Sequence, residues 1–126
     1  MAIQRVNVSG LGRLPAFSHA SIVGNQVFVA GLIGAAGEEL AVVEGGMGAQ
    51  TRQILDNLKL VLEACGCGYD DIAMVHVYVT DMSQFAAMNE VYVEVMGDEP
   101  PSRITVGCSA LALGAVVEMD CVAFIP

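Results

Sequence analysis

From Ile54 to Cys65, apolar side chains fall at Ile54, Leu55, Leu58, Val61, Leu62 and Cys65, the spacing of one face of an α-helix. Gly66 and Gly68 then end the pattern. The period changes beyond them, because Ile72 to Thr80 is valine-rich and alternates, which is the rhythm of a strand. A chain that switches from helical to strand period must lay a helix stripe against a sheet face. That single constraint selects a layered α+β fold and disfavours bundles and all-β sandwiches.

The remaining segments fit the same plan. Ile3 to Val8 reads as a strand, and Ser18–Val23 and Gln26–Leu32 flank Gly24-Asn25, a tight hairpin signal. Gly34 to Gly48 is glycine-rich and reads as a loop, with the first helix over Gln50–Ala64. On its polar side Arg52 and Lys59 are spaced to pair with Asp56 and Glu63. Asp81 or Ser83 is placed to cap a second helix through about Val95, packing through Phe85, Met88, Tyr92 and Val95. Gly97-Asp98-Glu99-Pro100-Pro101 breaks the chain before two further strands, Arg103–Cys108 and Val116–Ile125. The order β-β-β-α-β-α-β-β implies one domain over residues 1–126, with a mixed six-stranded sheet and both helices on one face.

Composition removes several function classes. Fourteen Asp and Glu against five Lys and Arg give a formal charge of −9, which repels a phosphate backbone, so neither nucleic acid nor an anionic membrane is an expected partner. The longest apolar run, Ile104 to Val117, is shorter than the roughly 20 residues of a membrane span and is interrupted by Thr105, Gly107, Ser109 and Gly114. The opening MAIQRV lacks the apolar core of an export signal, so the expected location is the cytoplasm. Cys65, Cys67, Cys108 and Cys121 have no accompanying ligand set for zinc and read as reduced structural thiols.

Strand parity then singles out one cation. In the last two strands Val117, Met119, Cys121 and Ala123 alternate with Glu118 and Asp120, and Ile104, Val106 and Cys108 with Arg103 and Thr105. One sheet face lies under the helices, and the other, which also carries Phe28, Met74, His76 and Tyr78, is mixed enough to favour association. Arg5 and Arg13 sit where they solvate easily. Arg103 instead opens an apolar strand after Pro100-Pro101-Ser102 and needs a partner. That partner is either Glu118 or Asp120, or a small carboxylate ligand suited to the guanidinium fork. His19, on the same parity as Phe17, reads as an interfacial or surface histidine with a secondary option as a polar group of a site.

Pro101-Ser102-Arg103, the spacing to Leu111 and then Val117-Glu118-Met119 resemble the C-terminal signature of the reactive-intermediate deaminases, the RidA/YjgF or L-PSP endoribonuclease family. Gln50–Gly66 resembles that family's first helix, Phe85–Tyr92 its second, and Gly24-Asn25 leading to Ala30-Gly31 its early hairpin. The resemblance implies a chorismate-mutase-like fold in a trimeric barrel with active sites between subunits. It implies hydrolysis of 2-imino or enamine acids to 2-keto acids and ammonia, without cofactor or metal. On that resemblance Arg103 is the carboxylate clamp and Glu118 the acid that polarises water, with Phe17, Gly31, Asn89 and Thr105 at the substrate. Phe17, Thr105 and Ala30 depart from the Tyr, Cys and Ser common there, and keep open the alternative of a non-catalytic module that binds keto acids. The family's older ribonuclease label fits poorly with a charge of −9.

Overall fold

The computed structural model describes residues 2–126; Met1, first residue of the segment read as lacking an export signal, lies outside them. Strands β1 (Gln4–Val6), β2 (Ala20–Val23) and β3 (Gln26–Ile33) form an antiparallel meander. A two-stranded hairpin follows, β4 (Ala35–Ala36) with β5 (Ala41–Val42), and then helix α1 (Gly46–Ala64). Strand β6 (Ile72–Val79), helix α2 (Phe85–Met96), β7 (Ser102–Gly107) and β8 (Val117–Phe124) complete the chain. The main sheet runs β1-β2-β3-β8-β6-β7, with only β6 and β7 paired in parallel.

This topology explains why both helices share a face. Strands β3 and β6 are each antiparallel to β8 and so parallel to one another, with α1 as their connection. Helix α2 connects β6 to β7. Both crossovers move along the sheet in the same direction, and right-handed crossovers with that sense fall on one side. The core is what lies between: Ile54, Leu55, Leu58, Val61 and Leu62 of α1 and Met88 and Tyr92 of α2 meet Val75, Val77, Val79, Val117 and Met119 of the sheet. Each such side chain contributes about 1.5–3 kcal/mol relative to exposure.

The expected six-stranded sheet with two helices on one face is present, and three local expectations change. The segment 34–48 is not a plain loop. It contains the β4–β5 hairpin, held to α1 by Asn57, whose Nδ2 donates to the Ala35 carbonyl at 2.8 Å. Helix α1 begins at Gly46 rather than Gln50, because burial of Met47 and the Thr51 hydroxyl bond to its carbonyl (2.8 Å) outweigh the poor propensity of the leading glycines. Arg52 does not pair along its own helix; α1–α2 packing brings Glu94 to 2.7 Å instead, and Lys59 takes part in no ion pair among the described residues.

No described helix is long and apolar enough to cross a membrane. All four cysteines are free; Cys65, Cys67 and Cys121 are buried, while Cys108 is only partly so. Burial pushes the Cys121 thiol up to about 12 and also raises Cys65 and Cys67, which keeps these thiols protonated and unreactive. The face away from the helices is open: Phe28, Ile104, Val106 and Phe124 are each more than a third exposed.

Candidate functional site

Arg103 lies on the helix side of β7, opposite Val75 of β6. Its Nη1 donates to Asn89 Oδ1 of α2 at 2.8 Å. The guanidinium carbon stands 4.6 Å from the Tyr92 ring centre and 5.5 Å from that of Phe85, so the charge rests on two aromatic faces rather than on a carboxylate. The two ion pairs among the described residues, Arg52–Glu94 and His76–Asp120, do not include it. The same wall holds two further polar atoms: the Tyr92 hydroxyl oxygen and Thr105 Oγ1 are buried and make no hydrogen bond. Left so, each costs about 1–3 kcal/mol.

Glu118 is on the opposite face. It pairs in register with Ile33 of β3 and Tyr78 of β6, and its side chain points away from the helices. Arg103 and Glu118 are thus separated by the sheet itself and by two interstrand spacings, about 10 Å. The ion pair between Arg103 and Glu118 or Asp120 that the sequence allowed does not form, because a strand's alternation assigns the residues to different sides. Nor do clamp and acid adjoin within one chain.

A bulge places Glu118. Between Val29 and Leu32 strand β3 carries one residue more than β8, which turns Gly31 toward the carboxylate. A Cβ at Gly31 would overlap Glu118 Oε2 and stand 3.1 Å from its Cδ, so only glycine leaves the acid where it is. Glu118 makes no hydrogen bond or ion pair within the described residues. Burial, and then the neighbouring Asp120, raise its carboxyl above the usual value of 4.5. Asp120 is itself engaged, with His76 Nδ1 at 2.6 Å and the Tyr78 hydroxyl at 3.1 Å. Those two groups are therefore strand-lining partners of Asp120 within the chain.

Glu118 closes one wall of a half-open cavity of about 390 Å³ that also contains Phe17, Gly31, His19 and Asn57. His19 differs from the expected surface histidine: it is 1% exposed and organises the loop that carries Phe17. The Val8 amide donates to its Nδ1 at 2.9 Å, and its Nε2 faces the Gly12 carbonyl at 3.0 Å. An amide N–H can only donate and a carbonyl only accept, so the ring is the neutral tautomer with its proton on Nε2. Asn57 spends its amide on Ala35 and Gln53. Both ring nitrogens of His19 are thus engaged, and each polar atom of Asn57 already has one protein partner.

The six predicted residues therefore fall into two separate groups: Arg103, Asn89 and Thr105 on the helix side of the sheet, and Glu118, Gly31 and Phe17 at the cavity. Sequence reasoning missed the aromatic support of Arg103 by Tyr92, which helical spacing marked only as packing. It also missed Asn57 of α1 and the cavity-wall leucines Leu11, Leu14, Leu40 and Leu113, which lie outside the strands and long helices and share no period. No cluster of three or more His, Cys, Asp or Glu able to hold a metal occurs among the described residues.

Residues 11–125 match the family model described as Endoribonuclease L-PSP. A RutC family protein of Pyrococcus horikoshii is 40% identical over 108 residues, covering 86% of this chain and 86% of that protein. RidA from the Antarctic bacterium Psychrobacter sp. superposes with a TM-score of 0.88 at 33% identity, over 96% of this chain and 100% of that one. The yeast protein YEO7 superposes at 0.94 with 29% identity, over 99% and 100%. These matches show that the chain belongs to the endoribonuclease L-PSP family, which is also the RidA/YjgF family.

Proposed function

We propose that this protein is a cytoplasmic hydrolase that deaminates reactive 2-imino and enamine acids, such as 2-iminopropanoate and its tautomer 2-aminoacrylate, to 2-keto acids and ammonia, and that it acts as a homotrimer. The observation that carries the reading is Arg103, a guanidinium held by Asn89 and two rings, with no acid paired to it. A charge fixed on the protein with most of its donors free suits a small carboxylate. Because Glu118 points to the other side of the same sheet, a complete site takes Arg103 from one copy and Glu118 from the next. The exposed Phe28, Ile104 and Val106 of the open face supply apolar area for such association.

The chemistry asks little of the protein. A protonated imine carbon is already electrophilic, so positioning does most of the work. Arg103 fixes the substrate carboxylate and Glu118 takes a proton from water as its oxygen bonds to the imine carbon. The resulting carbinolamine receives that proton on nitrogen; as the C–N bond breaks and ammonia leaves, the freed Glu118 carboxylate takes the hydroxyl proton, the carbonyl forms, and the proton passes on to ammonia as ammonium. A raised carboxyl suits Glu118 to these transfers, a contribution of about 10²–10⁴ in rate. No cofactor enters this scheme.

Arg103→Ala tests it: imine hydrolysis should be lost while the oligomer, by light scattering, remains. Unchanged turnover removes the clamp. Phe17, which brings no hydroxyl to the cavity, favours the second reading, a non-catalytic keto-acid-binding module. Keto-acid binding by calorimetry without turnover of any imine would select it. A ribonuclease is not supported by a charge of −9, which disfavours binding of a phosphate backbone.

A further inference from the structure

Among the described residues, two non-glycine residues have left-handed backbone, Leu40 (φ 55°) and Leu113 (φ 57°). Both line the Glu118 cavity. Bulky side chains are rarely found in this conformation, and such outliers gather where a surface is shaped for a ligand. Leu113 is also 62% exposed and Leu14, on the same wall, 54%, so the strain is not explained by filling the core. With Leu11 and Phe17 these side chains form an apolar enclosure, and the polar atoms of His19 and Asn57 within it are already bonded. Of the polar side chains lining it, Glu118 is the one that makes no hydrogen bond or ion pair within the described residues.

We infer that this cavity is a side-chain subsite, which makes the preferred ligands 2-imino and 2-keto acids with branched aliphatic or aromatic side chains rather than the smallest members of the class. The inference rests on the proposed imine-acid site and specifies what that site selects. At about 390 Å³ the cavity is far larger than a methyl group needs and accommodates an isobutyl or benzyl group beside the reacting carbon. Each methylene withdrawn from water strengthens binding by about fourfold, so the three additional carbons of an isobutyl group would give about 60-fold in a closed pocket. The cavity is half open, which lowers the expected gain to about tenfold or more.

The experiment measures calorimetric affinities of the wild-type protein for pyruvate, 4-methyl-2-oxopentanoate and phenylpyruvate. Alongside, kcat/KM is measured for the corresponding imines, made in situ by an amino-acid oxidase. The larger acids should bind at least about tenfold more tightly than pyruvate. Leu113→Asn, a residue tolerant of left-handed backbone, should reduce that ratio to below about threefold without lowering the melting temperature. Equal affinities for all three acids, or no binding of any, overturn the subsite; a second copy of the chain filling the cavity would produce that result. Size-ordered binding with no imine turned over overturns the deaminase and leaves the subsite standing. Turnover without size order does the reverse.

Discussion

Replacing Gly31 by alanine isolates the placement of Glu118 from every other property of the protein. Gly31 is not among the residues at positive φ, so alanine is conformationally acceptable there. The added Cβ overlaps Glu118 Oε2 and stands 3.1 Å from Cδ, closer than carbon atoms pack. Relief requires the carboxylate to move by about 1 Å, and a displacement of that size at a reacting group costs about 10²-fold in rate. Glu118 is only partly buried and can swing toward solvent, so the melting temperature should change by no more than about 2 °C. The assay follows imine hydrolysis by competition with semicarbazide, with thermal unfolding measured on the same sample. A variant as folded as wild type and within twofold of its kcat/KM would refute the claim that the bulge positions the acid.

Two other perturbations read different parts of the structure. Gly48, inside α1, has only contacts of 3.9 Å awaiting a Cβ, so Gly48→Ala should stabilise the fold by about 0.5–1 kcal/mol and raise melting by about 2–5 °C with activity unchanged. Glu118→Gln should abolish hydrolysis while unfolding at the same or a higher temperature at pH 7. The raised carboxyl of the folded state favours folding below its unfolded value, and that contribution is lost as pH rises through the folded one; the advantage of glutamine must therefore vanish below about pH 4.5.

Much of this architecture could be read from period alone, because the buried faces of α1, β6 and β8 are continuous and leave no second register. The start of α1 could not, since its first turn contains glycines and is held by tertiary contacts of Met47 and Thr51. The partner of Arg52 was misplaced for a related reason: i,i+4 spacing describes an isolated helix, whereas Glu94 arrives with α2. Parity correctly set Glu118 and Asp120 apart from the core, yet did not say that Arg103 faces the helices; that follows from parallel pairing with Val75. The cavity was least visible. Apart from Leu32 of β3, its leucines come from loops around residues 11, 40 and 113, and what unites Leu40 with Leu113 is a backbone conformation that composition does not encode.

The central claim is that one catalytic crevice joins the guanidinium of one copy to the carboxylate of another, and subunit mixing addresses it most directly. Arg103→Ala and Glu118→Gln, each inactive alone, are co-expressed in equal amounts, and mixed oligomers are verified by native mass spectrometry. Random assortment leaves both native groups in about a quarter of two-chain crevices, so about a quarter of wild-type activity should return. Mixed oligomers that remain inactive would contradict the shared site.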